Sequence, residues 1–119
     1  MDLRDILAKH KQWLESEGKK GERADLRKAI LQEADLHGAN LQDANLEGAH
    51  LSVADLMRAN LRRANLKRAD LWMADLKDAN LHGAELQGAN LSNATNVTQK
   101  QIDSAITDSS TLLPSGIRR

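Results

Sequence analysis

Cysteine is absent from the chain, and so are phenylalanine and tyrosine. Without cysteine there is no disulfide framework, no thiolate nucleophile and no thiolate zinc site. The aromatic inventory is two tryptophans, Trp13 and Trp72. A conventional globular core uses more large rings than that, so this interior has to be filled differently. An excess of either charge sign is lacking too: 17 Lys and Arg stand against 17 Asp and Glu. That balance points neither to a bulk nucleic-acid binder nor to a strongly acidic mimic of one. No apolar run approaches the ~20 residues needed to cross a bilayer, so no membrane association is expected. The opening stretch, MDLRDILAKHKQWLESEGKK, has no uninterrupted apolar segment and no cleavage pattern, and does not read as a signal peptide. Cytoplasmic residence is the expectation, and 119 residues make one domain.

What is present is a period of five. Ala recurs at every fifth position from Ala24 to Ala94. Two places later Leu does the same, at Leu26, Leu31, Leu36, Leu41, Leu46, Leu51, Leu56, Leu61, Leu66, Leu71, Leu76, Leu81, Leu86 and Leu91. The residue between is Asp or Asn except at Ile30, His50 and Glu85, and the other two positions are mixed and mostly polar. The unit is A-[D/N]-L-x-x. A helix is excluded despite favourable propensities. At about 100° per residue, each step of five would turn a leucine by about 140° and leave no apolar face. A flat strand is excluded because five is odd, so alternate leucines would face opposite ways. A coil of short extended segments satisfies every repeat. Ala and Leu, two apart, share the inner face, two residues make a corner, and stacked turns pair their backbones in parallel. The leucines named above are then the core. Val and Ile are scarce here, against the usual strand preference, and Leu with Ala fills the narrow interior instead.

From about Ala24 to Ala94 the chain resembles the pentapeptide repeat family, whose motif it matches in nearly every unit. The resemblance implies an all-β solenoid, a right-handed quadrilateral parallel β-helix with four repeats per coil. Four is the family's number. At a step of twenty, Asp35, Asp55 and Asp75 form a pure column, as do Asn40, Asn60 and Asn80.

A solenoid needs covers over its end turns. Leu3, Ile6, Leu7, His10, Trp13 and Leu14 follow helical spacing, with Asp2 as N-cap and Gly18 as stop. This predicts an N-terminal α-helical cap and linker over 1–21, the repeat β-helix over 22–96, and a C-terminal cap over 97–119. Within the last, Thr98 and Gln101 make a capping box. A short helix is expected from Gln99 to Ile106, with Ile102, Ala105 and Ile106 covering the final coil. Leu112 and Leu113 are expected to pack down and Pro114 to end the pairing.

Candidate chemistry is thin. His10, His37, His50 and His82 share no column on a four-sided coil, so no metal site is expected and the histidines read as solvated. The stacked Asp35, Asp55 and Asp75 carboxylates could hold a cation, or could bond nearby backbone N–H groups or water; the second is preferred. The Asn column suggests an amide ladder. No nucleophile–base pair, phosphate loop or cofactor motif is recognisable, so no enzyme and no cofactor are expected. The basic residues Arg58, Arg62, Arg63, Lys67 and Arg68 spread over three sides. They meet opposite charges at a step of twenty: Arg27, Glu47 and Lys67 in one column, Arg63 by Asp43, Arg58 by Asp78. That reads as charge pairing between coils, and nucleic acid is not an expected partner.

One set of residues breaks the polar exterior. Val53 and Met73 share a column, Trp72 adjoins it and Met57 lies on the next side. They form either a partner anchor or a patch packed under a terminal segment. The functional expectation is a non-enzymatic rigid scaffold or protein-interaction module, monomeric, with another protein as partner. The family resemblance offers a DNA-mimicking, gyrase-binding protein of the quinolone-resistance type. Uniform leucine, balanced charge and a capped C-terminus depart from that pattern. A self-associating structural rod is opposed by the caps.

Overall fold

The computed structural model describes residues 1–119. The order of elements is α1 (Leu3–Glu15), the repeat coils, and α2 (Gln99–Ser104), in a body of 42 × 24 × 22 Å. As far as Thr95 every coil takes twenty residues. The central residue of each repeat pairs in parallel with the central residue four repeats on, as in Asp25 with Asn45, Asn40 with Asn60 and Asp70 with Asn90. These are isolated bridges of one residue each, not continuous strands. The expected strand geometry is therefore shortened to its minimum, because a corner follows every leucine.

The corner follows from backbone angles. In all fourteen repeats from Ala24 to Asn93 the last residue has φ between 54° and 72°. The corner closes with a bond from the following Ala N–H to the Leu carbonyl, 3.1 Å for Ala29 to Leu26. Positive φ at the second corner residue alone is the signature of a type II turn, which favours glycine there. Gly38, Gly48, Gly83 and Gly88 occupy that position; the other ten repeats hold a residue with a Cβ in the left-handed region.

Backbone donors within the stack can be followed one by one. The central N–H donates to an Ala carbonyl of the preceding coil (Asn45 to Ala24, 3.0 Å). The Leu N–H donates to a central carbonyl of the next coil (Leu26 to Asn45, 2.7 Å), and the second corner N–H also reaches the next coil (Lys28 to Glu47, 2.9 Å). The Ala N–H closes the turn. That leaves the first corner N–H, which the central side chain takes. All eleven Asp and Asn at that position accept it on Oδ1, at 2.9–3.2 Å. The D/N preference is thus a backbone requirement repeated along the rod.

The interior is leucine and alanine alone along the coils. All fourteen leucines are at most 4% exposed. Each contributes up to about 1.5–3 kcal/mol by leaving water. At the first coil Ala29, Ala34 and Ala39 are only half-buried, whereas Ala24 is fully buried. α1 therefore covers one corner of the open end rather than all of it.

α1 starts where Asp2 accepts the Asp5 N–H, and ends at Glu15, with Gly18 two residues beyond the Ser16 cap. Leu3, Ile6 and Leu7 pack on the core. His10 differs from its expected solvated state: it is fully buried. Its Nδ1 accepts the Ala24 N–H at 2.9 Å, its Nε2 lies 2.8 Å from the Gln42 carbonyl, and its ring stacks on Trp13 with centroids 5.6 Å apart. Gly21 permits the approach, since a Cβ there would lie 2.2 Å from the Lys9 carbonyl oxygen.

At the other end α2 is shorter than expected, stopping at Ser104. Thr98 and Gln101 form the capping box, and the Gln101 amide also donates to the Leu76 and Ala79 carbonyls at 2.8 and 3.0 Å. Ile102 is buried beneath the helix. After α2 the chain resumes the coil rather than covering it. Ile106 pairs with Glu85 and Leu112 with Asn90. Both therefore take the outward central position and are exposed, contrary to the expectation that they pack inward. Thr111 and Leu113 occupy the Ala and Leu places instead: Thr111 is buried and donates its hydroxyl to the Leu86 carbonyl, and Leu113 packs on the core. No bridge follows Leu112, two residues before Pro114.

Candidate interaction surface

Four sides follow from the step of twenty. The second side carries the repeats that begin at Ala29, Ala49, Ala69 and Ala89, continued by Thr111. Val53, Trp72 and Met73 all lie on it and are 44%, 41% and 42% exposed. No terminal segment covers them. Met57, on the third side, is half-buried and does not join them. Two residues that sequence reasoning missed belong there as well: Ile30, 66% exposed, and Leu112, 54% exposed. Of the seven large hydrophobic residues exposed on the molecule, these five share one side. Ile30 was legible as a break in the D/N position. Leu112 needed the register after α2, where its bridge partner Asn90 is 22 residues away instead of twenty.

Charge is distributed as sharply as apolarity. The four repeats of the second side hold Glu33 and Asp70, the titratable His50, and no Lys or Arg, although the chain has 17. Elsewhere the ionic pairing differs from the expected columns. Arg63 does reach Asp43 across coils, at 3.0 and 3.2 Å. Arg27 turns back to Asp25 in its own repeat, at 2.8 Å, and holds that carboxyl down at about 2 by this bond. Glu47 takes Arg68 on the diagonal, and Lys67 lies 3.7 Å from Glu85. Arg58 and Asp78 do not pair. Long side chains choose partners by reach across a corner, which column membership does not specify. The Asn ladder forms one rung, from Asn60 to Asn40 at 3.2 Å.

Asp35, His37 and Asp55 lie with ligand-type atoms within 4.8 Å of one another, at the surface. Asp35 Oδ1 already accepts the His37 N–H and lies 2.5 Å from His37 Nδ1, and Asp55 Oδ1 accepts the Met57 N–H. The bond to Asp35 raises the imidazole above its ordinary pKa and lowers the carboxyl. An open groove beside α2 is edged mostly by polar residues, among them Lys77, His82, Lys100 and Gln101. Neither assembles a nucleophile with a base.

The family description "Pentapeptide repeats (8 copies)" matches residues 22–56 and 59–95. The chain belongs to the pentapeptide repeat family. Members are generally structural or binding proteins. Among solved structures it is similar to alr5209, a pentapeptide repeat protein from Nostoc PCC 7120, at 32% identity and a TM-score of 0.71, covering 93% of this chain and 86% of that one. It is also similar to HetL from Nostoc sp. strain PCC 7120, a pentapeptide repeat protein involved in heterocyst differentiation regulation. There the identity is 38% and the TM-score 0.58, over 73% of this chain and 33% of HetL. This pentapeptide repeat chain thus spans a third of HetL's length. No curated protein matches it. No helix is long and apolar enough to cross a membrane.

Proposed function

We propose that this chain is a rigid, non-enzymatic scaffold, wound in the right-handed, four-sided sense of its family, that binds another protein through its second side. One observation carries the reading: Ile30, Val53, Trp72, Met73 and Leu112 are exposed on one side, whose four repeats hold no Lys or Arg. Apolar residues gathered on one side mark binding surfaces more often than singly scattered ones do, and an exposed Trp is among the residue types most enriched in binding hot spots. The rod presents these side chains on a fixed backbone, so little conformational entropy is lost on contact. With Glu33 and Asp70 as the charges of the repeats on that side, the complementary surface is apolar with a basic rim. HetL's involvement in regulation suits a binding role of this kind, although it is a longer protein.

The test is a photo-crosslinking residue placed at position 52, one coil from Trp72 in the same column, in the native host, followed by purification of the captured protein. That protein should bind the native chain and lose at least tenfold in affinity for Trp72→Ala, while the melting temperature of the variant stays within about 1–2 °C of native. Equal affinity for the two chains would refute the assignment. A gyrase supercoiling assay separates the DNA-mimic reading: the scaffold reading expects no effect at micromolar chain.

A further inference from the structure

His10 is the one titratable side chain in the molecule with no solvent exposure, and the repeat architecture does not require it. It sits between α1 and the open end of the first coil and bonds to backbone at both ring nitrogens. The partner at Nδ1 is an N–H, that of Ala24, so Nδ1 must carry a lone pair. The proton then belongs to Nε2, which donates to the Gln42 carbonyl. One tautomer of the neutral ring satisfies both bonds; the imidazolium satisfies only one, because it sets two donors against each other at 2.9 Å.

Within the stack, a second corner N–H reaches the first corner carbonyl of the next coil, as Asp43 does to Arg62. Gln42 is the first corner residue of the opening coil. His10 Nε2 thus stands in for the N–H of a coil that does not exist. Elsewhere along that edge, the N–H groups of Asp25, Ile30, Asp35 and Asn40 have no backbone partner. α1 is attached to the edge through His10, through the Glu22 N–H to the Lys9 carbonyl at 3.1 Å, and through Leu3, Ile6 and Leu7.

We propose that His10 makes α1 an acid-released latch: the helix docks on the first coil while the ring is neutral and comes away from it when Nδ1 is protonated. The charged groups facing the ring are few. Arg23 on the linker opposes protonation, and Asp43 on the first coil favours it. Asp43 is already committed to Arg63, at 3.0 Å, and Arg23 donates to the Asp43 carbonyl at 2.7 Å, so no free carboxylate is aimed at the imidazole. Burial, the largest influence, pushes the ring below its ordinary 6.5. The sign follows: docking is fully present above the ordinary imidazole value and is lost as pH falls through the depressed docked one. In that window the docking constant declines by up to tenfold per pH unit, the limit for one proton.

The experiment is hydrogen exchange of the native chain from pH 7.5 to 4.5, corrected for intrinsic rates, with the His10 ring followed by NMR on the same samples. Amides of Leu3–Glu15 should lose protection below the ordinary imidazole value while those of Ala44–Leu91 keep it. The His10 ring should titrate with that loss. In His10→Gln, an amide can offer the same donor and acceptor without titrating, so the acid-dependent loss should disappear. Three results would overturn the latch: α1 protected throughout, His10 titrating at the ordinary value with α1 still docked, or the same acid loss in His10→Gln. If the coils lose protection together with α1, the event is global unfolding and the proposal fails as well.

Discussion

Val53 holds φ at 59° with a branched Cβ, the costliest side chain for that region. A left-handed conformation costs an ordinary residue about 1–2 kcal/mol, and asparagine tolerates it better. Val53→Asn is therefore expected to stabilise the chain by about 1 kcal/mol, read by denaturant unfolding; no gain would mean that the corner is not strained. Single side chains also set local titrations. His37 is raised by its bond to Asp35. The stabilisation from that pair is fully present below the ordinary imidazole value and is lost as pH rises through the elevated folded one. NMR titration should place His37 above the ordinary imidazole value, and Asp35→Asn should return it towards that value. A His37 titration indifferent to that change would show the bond to be absent in solution.

The two helices hold the ends by backbone bonds as much as by apolar contact. Gly21 matters here because a Cβ would strike Lys9 and Gln12 while φ is +69°. Gly21→Ala should cost roughly 1–3 kcal/mol and raise exchange over Leu3–Glu15, leaving the coils protected; unchanged exchange would mean that the linker can move aside. The helices were legible in part. Asp2, and Thr98 with Gln101, mark helix starts because caps are local. The role of His10 was not, since its partners Ala24 and Gln42 are 14 and 32 residues away. On the page it is one more polar residue in an apolar stripe. The resumption of the coil after α2 was hidden for a similar reason: Thr111 and Leu113 stand in for Ala and Leu out of phase with the repeat.

Along the whole rod the leucine core was legible, because a period of five leaves a helix and a flat strand no consistent inner face. The count of four per coil showed only faintly, in the Asp35–Asp55–Asp75 and Asn40–Asn60–Asn80 columns, since spacing alone does not fix how many corners close a turn. The corner conformation was written only in Gly38, Gly48, Gly83 and Gly88, and ten other residues in the same place diluted it. Leu66, with no exposure, lies mid-stack. Leu66→Lys puts a charge into a dry interior and should cost more than about 4 kcal/mol, most of the stability of a domain at the low end of the ordinary range. Native-like melting of that variant would contradict the packing.

The step of twenty also sets a rule for how such a chain can change length. Adding or removing one five-residue unit preserves every inward leucine, so the fold survives. Yet it advances all later residues by a quarter turn. A unit inserted after Arg58 would carry Trp72 and Met73 round the corner, away from Ile30 and Val53, with composition and core intact. Only changes of a full coil keep the surface in phase.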